Sequence, residues 1–196
     1  FPFVCLNLNK NNFFFLKKNK HVIQFLTKFF LVYFSLIGIY NIYLKNTQQK
    51  DGIYSCSPVT KMVTNHSEKA TEFLGYDVYT DQNFNELSMM FKVNDKYVVR
   101  IVEGCTSVSI IILFLAFIVA FSGSVKATIL YGVSGVLLIY LTNIFRIVFI
   151  SLGVYHYPQY EGLLHRIIFP GLIYGMVFLL WVIWVKKYAK VNLRDA

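Results

Sequence analysis

Long apolar runs separated by charged links dominate this chain. "FLTKFFLVYFSLIGIYNIYL" covers residues 25–44, and further apolar runs cover 106–121, 127–153 and 167–185. A helix needs about 20 mostly apolar residues to cross a bilayer, so the pattern predicts about four transmembrane helices. Between the first two runs, residues 45–104 follow other rhythms. "SPVTKMVTNHSEKATEFLGY" places Val59, Met62, Val63, Ala70, Phe73 and Leu74 at helical spacing and stops at Gly75. That spacing predicts an amphipathic helix lying on the membrane or on the bundle. Next, "LSMMFKV" and "KYVVRIV" flank Asn94-Asp95 and read as a β-hairpin, whose second strand leads through Glu103 and Gly104 into Cys105. The predicted fold class is an all-α polytopic membrane protein, with a small outer-face helix and β-hairpin between helices one and two.

Composition agrees with a membrane class. Of 196 residues, 56% are hydrophobic and only 15% are charged, against about 25% charged in soluble domains. Residues 17–196 read as a single membrane domain. Residues 1–16, "FPFVCLNLNKNNFFFL", are low-complexity and are expected to lie outside the functional protein. No small-residue cleavage site follows, so the first helix is expected to remain uncleaved.

The net charge of +9 raises a nucleic-acid reading, and its distribution removes it. Lys10, Lys17, Lys18 and Lys20 precede the first long run, Lys126 lies between the second and third, and Lys186, Lys187, Lys190 and Arg194 follow the fourth. In a four-span topology all of these share one side. Residues 45–104 hold seven basic and eight acidic residues and are about neutral. Cytoplasmic segments keep the excess of Lys and Arg, so both termini are expected inside and the long loop outside.

Three polar residues then stand out against the apolar spans. Cys105 lies where the charged strand meets the second run. Arg146 sits in "LLIYLTNIFRIVFISLG", roughly 10 Å from the expected outer end of its helix. Asn143, three residues earlier, shares its face. His165 opens the fourth run in "EGLLHRIIFPGLIYG". Topology brings Cys105, Arg146 and His165 to one leaflet from three helices, supplying a nucleophile, a base and an oxyanion stabiliser. Alone, each has a plainer reading: packing for the cysteine, an interfacial polar group for the histidine, snorkelling or a carbonyl contact for the arginine. A rival histidine, His156 in "GVYHYPQY", is expected to be solvated. Glu103 is placed either to orient a histidine or to pair with a Lys or Arg.

The cysteines Cys5, Cys56 and Cys105 form no C-x-x-C and no zinc spacing, so neither a metal nor a cofactor is expected. A Cys56–Cys105 disulfide stays open as a minor alternative. A thiol-disulfide carrier would want a vicinal cysteine pair. A rhomboid-like serine protease would want a G-x-S-x-G-type nucleophile, which Gly123, Gly132 and Gly135 do not provide. The competing class is a non-catalytic assembly or chaperone-like factor that clamps partner transmembrane helices, with Arg146 paired and Cys105 merely packed.

Taken together, "KYVVRIVEGC" with "VEGCTSVS", "FSGSVKAT", "LTNIFRI", the histidine opening the last helix and "FPGLIYGMVFLLWVIWV" resemble the exosortase/archaeosortase membrane proteases, in particular the exosortase F-like branch. The resemblance covers about residues 17–187. It implies a cysteine nucleophile at Cys105, the family arginine at Arg146 and its histidine at His165, while Asn143 matches the asparagine preceding that arginine. It also implies a cysteine protease-transpeptidase that cleaves C-terminal sorting signals of exported proteins at the outer face, through a thioester. Such a signal is a short motif, a transmembrane helix and a basic end. The implied setting is the plasma (inner) membrane of a prokaryote, with membrane lipid and a small accessory membrane protein as further partners. Two departures stand out. Larger members have many more spans, and the family cysteine often sits in A-C-S-G, where this chain has E-G-C-T-S-V.

Overall fold

The computed structural model describes residues 20–121 and 123–187. The low-complexity stretch, Cys5, Lys10, Lys17, Lys18, Lys190 and Arg194 lie outside the described residues. Helix α1 spans Lys20–Thr47, α2 Pro58–Phe73, α3 Val108–Ala120, α4 Val125–His156 and α5 Phe169–Lys187. Strands β1 (Val78–Asn83), β2 (Ser88–Val93) and β3 (Lys96–Val102) lie between α2 and α3.

Among the described residues, three helical stretches are long and apolar enough to cross a membrane: Val22–Thr47, Val125–His156 and Pro158–Lys187. The run expected at 106–121 forms a helix of 13 residues, about 20 Å long and shorter than a hydrocarbon core of about 30 Å. Its start is used up by a 3₁₀ turn at Glu103–Cys105 and by Ser107, which adopts a left-handed conformation with φ 60°. At its other end Phe121 is already extended, and Ser124 caps α4 by accepting from the Ala127 N–H at 3.3 Å. Gly123 lets this link pass Trp184, because a Cβ there would lie 2.9 Å from the indole ring.

The sheet has three antiparallel strands in the order β1-β2-β3, one more than the expected hairpin. β2 and β3 turn at Asn94 and Asp95, both at positive φ, as a two-residue hairpin loop requires. "VYTDQN" in β1 carries Asp81 and Asn83, which disfavour strands, and pairs with β2 along its length, Val78 opposite Val93 and Thr80 opposite Phe91. Helix α2 starts where Ser57 accepts from the Thr60 N–H at 3.3 Å and rests on α4 and the sheet. Its buried face is mostly hydroxylic: Thr60, Val63, Thr64, Ser67 and Thr71. Thr64, Ser67 and Thr71 satisfy their hydroxyls on the carbonyl four residues back. Met62, Phe73 and Leu74, expected on the apolar face, are exposed.

Two cores result. The outer one joins α2, the sheet and the later part of α4, with Val63, Phe91, Val93, Ile101, Ile147 and Val154 at its centre. Each large apolar side chain removed from water there contributes about 1.5–3 kcal/mol. The inner one joins α3, α4 and α5 through Phe114, Ile118, Ile139, Val177 and Trp184. Between membrane helices, close packing replaces the hydrophobic effect. Gly132 and Gly135 are buried on α4 and admit Ile118 and Phe114 of α3. Helix α1 attaches to α3 through aromatic rings, Phe25 lying 5.7 Å from Phe117 and 4.3 Å from Phe121.

Candidate active site

Cys105 closes the 3₁₀ turn that joins β3 to α3 and packs against the outer core. The turn is stitched internally by the Thr106 N–H and hydroxyl, both donating to the Glu103 carbonyl at 3.1 and 2.8 Å. It is held from outside by Asn143, whose Nδ2 donates to the Cys105 carbonyl at 2.7 Å. Asn143 is fully buried, and its amide fixes the backbone of the cysteine to α4. Arg146 follows one turn later on the same helix, half-buried, with a buried Nε that has no hydrogen-bond partner among the described residues.

His165 comes from an irregular connection. After α4 the chain makes a 3₁₀ turn at Pro158–Tyr160, one α turn at Glu161–Leu163 and a π turn at Leu164–Ile168. Pro170 supplies the physical reason: it has no N–H for the Arg166 carbonyl, and its ring crowds that carbonyl. The wider π turn relieves the clash and carries His165, which is exposed.

Cys105, Arg146 and His165 line one cleft, together with Val99, Arg100, Ile101, Ile147 and Ile150. The cleft is narrow, about 20 Å³, room for about one water. Among the described residues, none of the three polar side chains is tied up in a hydrogen bond or ion pair. A larger cavity, about 690 Å³, lies between α3 and α4 and is lined by apolar side chains with Thr128 and Tyr140. Its lining has neither a thiol nor an imidazole.

Other residues fall differently. Among the described residues Glu103 meets neither a histidine nor a cation. It accepts from Tyr40, from Gln48 at 3.2 Å, from Ser57 at 2.8 Å and from Thr60 at 2.6 Å, because the turn points its carboxylate at α1 and at the start of α2. His156 hydrogen-bonds the Tyr76 hydroxyl at 2.9 Å among the rings of Tyr76, Tyr155 and Tyr157, and it does not line the cleft. Cys56 and Cys105 are both free thiols. Burial pushes the Cys56 thiol up, which keeps it protonated and unreactive. Two features were invisible in the sequence. Arg100, tethered to Glu86 at 3.2 Å, contributes to the cleft wall from β3. The donors around Glu103 come from separate segments that no local pattern connects.

The fold is that of a polytopic helical membrane protein, with a thiol, a guanidinium and an imidazole at one end of its bundle. The chain belongs to the transmembrane exosortase family, whose model it matches over residues 15–185. It is 31% identical over 174 residues to a protein named probable archaeosortase E from Methanocaldococcus jannaschii, an alignment covering 87% of this chain and 82% of that protein. No solved structure matches significantly. Family membership supports a role as a membrane transpeptidase.

Proposed function

We propose that this protein is a cysteine protease-transpeptidase that cleaves C-terminal sorting signals of exported proteins at the outer face of the plasma membrane. The supporting observation is that Cys105, Arg146 and His165, from three separate elements, line one cleft. In this reading His165 takes the thiol proton of Cys105. The thiolate then attacks the scissile carbonyl carbon, forming the C–S bond. Arg146 donates to the oxyanion as it develops. His165 returns the proton to the leaving amine as the C–N bond breaks, leaving a thioester. Water or an amine acceptor attacks the thioester carbon as His165 takes its proton, and the C–S bond breaks as that proton returns to the Cys105 thiolate.

The test uses a reporter carrying the C-terminal apolar helix and basic tail of an exported protein from the same organism. Cys105→Ala abolishes cleavage, and the wild-type chain yields a thioester adduct on Cys105 detected by mass spectrometry. His165→Ala lowers the rate at least about 100-fold, as expected for a general base, and His156→Ala changes it little. Cleavage that persists in Cys105→Ala overturns the cysteine mechanism. Loss in His156→Ala with retention in His165→Ala moves the base to His156.

A further inference from the structure

Glu103 is the first residue of the turn that ends in Cys105. Its half-buried carboxylate collects four side-chain donors. Tyr40 donates to Oε1 from α1, and Gln48 donates to Oε2 from just beyond that helix. Ser57 and Thr60 donate to Oε2 from the cap and first turn of α2. Ser57 also accepts from the Thr60 N–H, so the carboxylate sits at the N-terminus of α2, where backbone dipoles favour a negative charge. No Lys, Arg or His pairs with Glu103 among the described residues, and Glu103 does not line the cleft. A carboxylate fully engaged as acceptor and turned away from the reacting atoms is poorly placed for proton transfer. It is well placed to fix geometry.

We infer that Glu103 is a positioning residue for the nucleophile. It ties the Cys105 turn to α1 and α2 on one side, while Asn143 pins the Cys105 carbonyl to α4 on the other. Between the two anchors the Sγ is held in the cleft with Arg146 and His165. This inference rests on the reading of Cys105 as nucleophile. It extends that reading by assigning the two elements nearest the loop, α1 and α2, a part in aligning the thiol.

The test compares Glu103→Ala and Thr60→Val with wild type, as full chains in membranes, using the reporter described above. A displaced nucleophile loses about 10² in rate for a shift of about 1 Å. Glu103→Ala is therefore expected to lower kcat by about that factor, with KM nearly unchanged and the pH–rate profile keeping its shape. Thr60→Val removes one donor and is expected to lower kcat less, in the same direction. It also decides the matter if Glu103→Ala fails to accumulate. Unchanged kcat per folded molecule overturns the inference, whether in Glu103→Ala or, where that chain is absent, in Thr60→Val. So does loss of one limb of the pH profile, which marks an acid–base role. Cleavage that depends on Cys105 but is indifferent to Glu103 overturns this inference alone. Cleavage that survives Cys105→Ala overturns the cysteine mechanism as well.

Discussion

Arg146 is the residue at which an enzyme and a helix clamp part company. A buried guanidinium nitrogen is costly and needs a partner, yet the buried Nε of Arg146 has none among the described residues. In an enzyme that partner is the transient oxyanion; in a clamp it is a permanent group on another helix. Lysine keeps the charge and loses the planar fork. Arg146→Lys is expected to leave protein level and reporter co-purification near normal while turnover falls about 10² to 10³, typical for an oxyanion donor. Co-purification and cleavage measured side by side check this. Weak binding with an unchanged rate per bound complex favours the clamp.

At the scale of elements, α3 and α4 meet through glycine rather than through large interlocking residues. A Cβ on Gly135 would lie 2.3 Å from Cζ of Phe114, a fully buried ring. Gly135→Ala is expected to destabilise the fold by about 1–3 kcal/mol, the usual cost of overpacking. Adding Phe114→Leu is expected to recover part of that loss. Thermal unfolding in detergent reads both, and an unchanged midpoint in Gly135→Ala contradicts the close approach. Helix α2 shows the opposite economy. Its buried face is made of hydroxyls that satisfy themselves on their own backbone, so it packs closely against α4 while its bulkier apolar residues stay outside.

For the whole molecule, the length of α4 organises the rest. Its 32 residues run about 48 Å, some 18 Å more than a hydrocarbon core. The surplus end carries the outer core and sheet, from Ile144 to Val154. Lys126 and Lys186 lie at the far ends of α4 and α5. By the positive-inside rule the sheet and the cleft are expected on the outer side. Phe73 is 91% exposed on the sheet side and makes a better probe than Cys56, whose thiol is buried. In a chain with Cys5, Cys56 and Cys105 changed to alanine, an impermeant maleimide is expected to label Phe73→Cys in intact cells. Lys126→Cys is expected to react only after permeabilisation. The reverse pattern inverts the orientation.

Hydrophobic run length and lysine placement, both properties of the chain in one dimension, already determined a polytopic membrane protein and its expected sidedness. The Asn94-Asp95 turn was legible because positive φ demands such residues, and α2 was legible because its apolar residues recur at helical spacing and stop at Gly75. The shortness of α3 was not, since a left-handed Ser107 and a 3₁₀ turn leave no mark on hydropathy. Nor was β1, whose residues become a strand only when β2 offers its edge. Cys105, Arg146 and His165 drew attention as polar residues in apolar surroundings, where burial is costly enough to need a reason. That they line one cleft, that Arg100 joins them, and that Glu103 turns to α1 and α2 instead of a histidine were decided in three dimensions. These depend on hydrogen bonds and packing between segments more than 40 residues apart, and no pattern along the chain encodes a contact over that separation.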